Sequence, residues 1–318
     1  MFGSTILILV LLCYLLTKQG LRLAEHSKMV GEWRWYWIVL LMTPTVSIGL
    51  LLIGALLMLV TNCPGFTTAD KFLIIGSSAG FSTCLLVAGL AQYRRSKQIR
   101  GMLVTFSRTV EDARLLARLA AYSHKLGVAA PQLRVISYPH ALACTYRGQH
   151  PAIVLSDWLI AELDEQEMEG VLVHELAHLK RRDHLIGFLV ACLRDGFFSP
   201  FPALRHRAWY HFCRDREVAC DALSVTYTGR PGALASALYK VGASSERLPE
   251  RSVMIGFDAP EDELSYRLAA LLEKQPGPFF PYLSGKIALA AMGTMAVALF
   301  LSPLWYVPLC TSLLCRLP

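Results

Sequence analysis

The sequence predicts a mainly α-helical membrane fold, with four transmembrane helices and one α+β domain carried between the third and the fourth. Three observations predict it. Of the 318 residues, 54% are hydrophobic and 17% are charged, whereas a soluble globular chain carries about 25% charged residues. Four apolar runs can be tested against the roughly 20 residues that a membrane helix needs. Between the last two runs, residues 94–281 change to short alternating and helical patterns bounded by Pro and Gly.

The first run, from about Gly3 to Leu16, is short and has no basic segment before it. It reads as a retained helix, with a cleaved signal peptide as the alternative. The second, from about Trp35 to Val60, begins with an aromatic belt of Trp33, Trp35, Tyr36 and Trp37. The third runs from about Phe72 to Tyr93, and the fourth from about Leu283 to Leu301, with no charge after Lys286. Residues 1–93 are thus expected to hold three spans, 282–303 the fourth, and 304–318 a short tail.

The net charge is +7. The basic residues form no single stripe, so no nucleic-acid partner is expected. They gather beside apolar runs: Lys18, Arg22, Lys28 and Arg34 before the second, and Arg94, Arg95, Lys97 and Arg100 after the third. The positive-inside rule places these segments, and with them the middle domain, in the cytoplasm. Cys63, Cys310 and Cys315 then share the outer side, where a disulfide from Cys63 to either of the others and separate thiols are both open. No Cys-x-x-Cys pair occurs, so no cysteine zinc site is expected.

Within the middle domain, Val110 to Leu126 has helical periodicity and ends at Gly127, a C-cap signal. Leu133 to Ser137, Ala141 to Tyr146 and Ala152 to Leu155 read as strands. Asp164 and Glu167 form a capping-box pattern that starts a helix running to about Lys180. After the break at Ser199-Pro200-Phe201-Pro202, a second helix is expected from about Ala203 to Tyr227. Ile186 to Leu193 is apolar but too short to span, and no internal repeat is visible.

The chemistry concentrates at His174-Glu175-Leu176-Ala177-His178. On a helix, residues i and i+4 share a face. His174 and His178 can therefore grip one zinc ion, one per chain, while Glu175 acts as general base on the water the ion activates. A buried His pair without a metal is the competing reading, but two imidazoles and a carboxylate beside apolar Val171, Leu172 and Val173 would be costly unpartnered. A catalytic zinc needs a third protein ligand. Glu217 is expected to supply it, with Asp221 one turn on holding an imidazole N–H. His184, His206 and His211 are rivals, His211 reading as a surface residue or a helper of the oxyanion. Asp183 can orient His178 or pair with Arg181 or Arg182.

These residues resemble the gluzincin metallopeptidases, in which a Glu-x-x-x-Asp helix completes the His pair; the match here is Glu217 and Asp221. The resemblance implies a zincin-like α+β peptidase domain. Within that clan the chain is similar to the β-lactam sensor-transducer and antirepressor family. His174-Glu175-Leu176-Ala177-His178-Leu179-Lys180-Arg181-Arg182-Asp183, Glu217-Val218-Ala219-Cys220-Asp221 and Pro200-Phe201-Pro202 carry that similarity. It implies a multi-pass protein of the bacterial inner membrane with its peptidase domain cytoplasmic. The residues after the fourth span are too few for a sensor domain, so β-lactam sensing by that route is not expected. The next resemblance is to the CAAX-protease and heat-shock membrane protease family, through His140-Ala141-Leu142-Ala143-Cys144, Pro151-Ala152-Ile153-Val154-Leu155 and Tyr266-Arg267-Leu268. The His-Pro that commonly precedes that Arg is absent.

The expected activity is peptide hydrolysis, with substrate extended along an edge strand at Ala141, Leu142, Ala143 and Cys144; an interior strand is the alternative reading of this segment. Arg267 is read as holding a carboxylate such as Asp221, as binding the oxyanion, or as a surface residue. Three roles are open: regulatory cleavage of a repressor or of the protein itself, with a repressor or signalling partner; housekeeping of membrane proteins; and a non-catalytic zinc-stabilised scaffold or receptor subunit. The intact Glu175 argues against the last.

Overall fold

The computed structural model describes residues 67–146, 150–196, 202–245 and 261–272. The first, second and fourth expected spans, the tail, and Cys63, Cys310 and Cys315 lie outside them. The chain divides into two compact units. Among described residues, one comprises 67–92, 188–196 and 202–212, and the other 93–146, 150–187, 213–245 and 261–272.

The first unit contains most of α1 (Thr68–Phe106). Ile75–Phe106 is the one stretch among the described residues long and apolar enough to cross a membrane. Phe72, Ile75, Leu86 and Val87 on this helix are exposed, as lipid-facing side chains would be. The third expected span thus falls on an observed helix, which continues past Tyr93 into the basic segment at Arg94–Arg100. The same unit holds the end of α5 (Asp183–Gly196) and the start of α6 (Pro202–Thr228). Arg194 there stacks over Trp209 at 4.3 Å.

The second unit is built on a four-stranded mixed sheet in the order β1-β2-β4-β3. Its strands are β1 (Ser107–Thr109), β2 (Gln132–Ile136), β3 (Ala143–Tyr146) and β4 (Ala152–Ser156). β2 runs parallel to β4; β1 pairs antiparallel with β2, and β3 antiparallel with β4. β4 is central, with Ala152, Ile153, Val154 and Leu155 fully buried. A strand covered on both faces reads as an unbroken apolar run. β3 ends the sheet, so one of its edges is unpaired within it.

One face of the sheet carries the main core. Ile153 and Leu155 meet Leu115, Leu119 and Leu126 of α2 (Ala113–Leu126) and Leu172 and Leu176 of α4 (Glu165–Arg181). Leu159 of α3 (Asp157–Glu162) and Ala237 and Val241 of α7 (Pro231–Ser245) complete it. On the other face, Val154 and Cys144 pack with Leu103 at the end of α1. A last helix, α8 (Glu261–Leu272), lies against α7.

The caps follow the sequence. Asp112 accepts from the amides of Arg114 and Leu115 at the start of α2, and Gly127 takes the left-handed conformation at its end, φ 67°. At α4 the Asp164 carboxylate accepts from the Glu167 amide while Glu167 accepts from that of Asp164, a reciprocal capping box. The expected strand at Ala141 to Tyr146 is corrected to Ala143–Tyr146. The Ala141 N–H is taken by the Ser244 hydroxyl, and that of Leu142 by the Ser156 hydroxyl, so neither is free to extend a ladder.

Candidate metal centre

α4 places His174 and Glu175 in its buried middle, among the fully buried Leu172, Val173, Leu176 and Ala177, and the half-buried His178 in its last turn. α6 meets α4 where the Ser224 hydroxyl donates to the Gly170 carbonyl at 2.8 Å. Gly170 also lies close to α7, where a Cβ would come within 3.4 Å of Leu234. One turn before Ser224's neighbour Leu223 stands Cys220, and with it Glu217 and Asp221 on the face turned to α4.

The two imidazoles and one carboxylate converge. Oε2 of Glu217 lies 3.2 Å from Nε2 of His174 and 3.7 Å from Nε2 of His178. One ligand atom from each of the three residues falls within 4.8 Å of the others. The imidazole rings meet edge to face, 4.9 Å between centroids.

Each imidazole is backed on its other nitrogen. Nδ1 of His178 is 2.9 Å from Oδ2 of Asp183, which the Arg181 guanidinium also contacts at 3.2 Å. Nδ1 of His174 is 2.8 Å from Oδ1 of Asp221, within ion-pair distance although short of hydrogen-bond alignment. Arg267 from α8 donates Nε and Nη2 to the two oxygens of Asp221, both at 2.8 Å. This removes the surface reading of Arg267, which is 3% exposed. Arg216 donates Nε and Nη2 to Oε1 of Glu217.

The electrostatics favour a cation. Burial works against charge on every group here, yet the neighbours outweigh it. Beside Asp221 and Glu217 the His174 imidazole is raised above its ordinary value, and His178, beside Cys220, Glu217 and Asp183, is raised further. The imidazoles and Arg216 hold Glu217 well below the usual carboxylate range. Burial pushes the Cys220 thiol up to about 11, so it stands as a neutral donor, 3.3 Å from Asp183 Oδ2. Two imidazoles and one carboxylate, each imidazole with a carboxylate behind it, form a donor set that fits zinc with a coordination position left open.

Glu175 is buried and lies next to this group in sequence. Its Oε2 accepts from the Thr145 hydroxyl of β3 at 2.6 Å. Of the rival third ligands, His184 is exposed, and His206 and His211 belong to the first unit. His211 is buried rather than a surface residue, its ring edge against Tyr210. Sequence reasoning did not find Arg216 or the contact of the Thr145 hydroxyl with Glu175. Arg216 is one more base in a basic stretch, while Thr145 is a polar side chain on an otherwise apolar strand face, a weak signal that was there to read.

Comparison with known proteins decides the family, since residues 81–270, more than half of the chain, match the model described as BlaR1 peptidase M56. The chain belongs to the BlaR1 peptidase M56 family. The match spans α1 from Phe81 through Ala270 of α8, and so includes every residue of the metal group. This is a family of membrane metallopeptidases. The chain is also similar to proteins named Protease HtpX homolog. That of Acidiphilium cryptum is 31% identical over 167 residues, 43% of this chain and 58% of the relative. That of Desulforapulum autotrophicum is 26% identical over 219 residues, 56% and 71% of the two chains. That of Methanopyrus kandleri is 30% identical over 173 residues, 44% and 53%. The match thus spans little more than half the length of the first and third of these relatives.

Proposed function

We propose that this M56 family member is a zinc-dependent membrane endopeptidase that hydrolyses protein substrates with His174, His178 and Glu217 as ligands and Glu175 as general base. The observation that carries the reading is the meeting of two imidazole nitrogens with Oε2 of Glu217 beside a buried glutamate. Zinc, when bound, would supply Lewis acidity towards a peptide carbonyl and towards water. Glu175 takes a proton from the attacking water and returns it to the leaving nitrogen. Asp183 and Asp221 fix the ring orientations of His178 and His174. Arg267 holds Asp221 in place and brings positive charge within 3.7 Å of Glu217.

The unpaired edge of β3 supports docking of an extended peptide by backbone pairing. In an antiparallel pair, alternate residues bond to the partner strand. The Leu142 carbonyl accepts from the Ser156 amide, so Cys144 and Tyr146 also face β4, while the backbones of Ala143 and Thr145 face outward. Substrate pairing is therefore assigned to Ala143 and Thr145.

Two roles have support. Regulatory cleavage is drawn from the resemblance to the antirepressor family, its cytoplasmic face from the basic residues beside the apolar runs, and housekeeping of membrane proteins from the similarity to proteins named Protease HtpX homolog. Glu175→Gln in the lipid-embedded chain tests the activity and separates the roles. It is expected to keep its zinc, lose at least about a hundredfold in hydrolysis of a casein probe, and trap substrate. A single trapped regulator supports the first role, and a spread of membrane proteins the second. Turnover equal to that of the wild type would reject the general base.

A further inference from the structure

We propose that Thr145 is a positioning residue that sets the register between a peptide docked on β3 and the general base Glu175. This rests on the peptidase reading above, which uses the Thr145 backbone, and adds a task for its side chain. Two independent features meet at Thr145. Its backbone, by the alternation of the β3–β4 pair, is directed to the unpaired edge of the sheet. Its side chain points the other way, to the helix layer, where Oγ1 donates to Oε2 of Glu175 at 2.6 Å and sits 3.3 Å from the Glu175 carbonyl.

The strand pattern explains why one residue can do both. Side chains alternate across a strand while N–H and C=O lie in the sheet plane. Cys144 faces the α1 side with Val154 and Leu103. Ala143 faces the helix layer with Leu172 and Leu176, and Thr145, two residues on, shares that face. A Val there would suit the strand and the apolar core equally well. The hydroxyl therefore has a purpose that packing does not supply. With Oε2 held by Thr145, Glu175 has one oxygen left for the proton it moves. That oxygen is fixed relative to the same residue on which substrate pairs, so the scissile bond and the base share one reference point. A base misplaced by as little as about 1 Å loses much of its effect.

The test uses the full chain in lipid nanodiscs, with internally quenched peptides as probe and zinc per chain measured in parallel. Thr145→Val keeps shape and strand preference and removes only the donor. Its expected result is full zinc, KM within about twofold of wild type, and kcat lower by about tenfold to a hundredfold, the range for a lost hydrogen bond to a charged group. Thr145→Ser, which restores the hydroxyl, is expected to recover kcat to within about threefold. A Thr145→Val protein with wild-type kcat overturns the proposal. So does one that loses zinc or fails to fold, because the hydroxyl would then hold the site together rather than aim the base. Failure of the peptidase reading itself shows separately, as wild-type hydrolysis that Glu175→Gln does not abolish.

Discussion

Arg216 donates Nε and Nη2 to Oε1 of its neighbour Glu217, at 3.0 and 2.8 Å, and so reserves Oε2 as the oxygen that faces both imidazoles. Adjacent residues on a helix do not share a face, so this contact comes from the long Arg side chain folding back onto the carboxylate. It assigns different tasks to two chemically equivalent oxygens. It also places a fixed positive charge next to the proposed metal.

Arg216→Met therefore has two consequences. Without metal, Oε1 of a buried carboxylate loses its partner, and the protein is expected to be less stable by about 3–5 kcal/mol. With the guanidinium gone, the pocket is more anionic, so added zinc is expected to raise the melting temperature by more in the variant than in wild type. Thermal unfolding of the detergent-solubilised chain, with chelator and with zinc, measures both. An equal rise in the two proteins would mean that Arg216 does not act on the ligand.

Glu167 supplies a pH-dependent contribution away from the metal. It is buried, and burial alone would raise its carboxyl; Lys240 Nζ at 2.8 Å, Ser236 Oγ at 2.6 Å and the Asp164 amide at 2.9 Å outweigh that and lower it below 4.5. The folded state then binds this proton less readily than the unfolded state. The stabilisation is complete above the unfolded value and is lost as pH falls through the folded one. Glu167→Gln is expected to cost about 1–3 kcal/mol at neutral pH, with the gap to wild type constant from pH 6 to 8 and narrowing below about 4.5. Urea unfolding at a series of pH values checks this; a gap that widens in acid would contradict it.

Much of the scaffold was legible because local signals and tertiary needs agree. Asp164 and Glu167 announce the start of α4, and the reciprocal cap forms as expected. Gly127 announces the end of α2 and takes the left-handed conformation that favours glycine. The two metal-site helices were placed to within one or two residues, since each has a long, bounded apolar pattern. Legibility failed where no local signal exists. β1 is three residues that continue directly from the last residue of α1, with no turn between. The six residues of α3 begin directly after Ser156, the last residue of β4, whose side chain caps the Leu159 amide. At the candidate site, spacing paired His174 with His178 on α4 and Glu217 with Asp221 on α6, each pair one turn apart. Arg216 and Thr145 act across the i,i+1 neighbour and across elements, contacts that sequence periodicity does not encode.

The most direct test of the account is the zinc affinity of Glu217→Ala beside wild type, by equilibrium dialysis against a competing chelator. One zinc per wild-type chain is expected, with an affinity lower by about a hundredfold or more when the carboxylate that joins the two imidazoles is removed. Equal zinc affinity in the two proteins would contradict it.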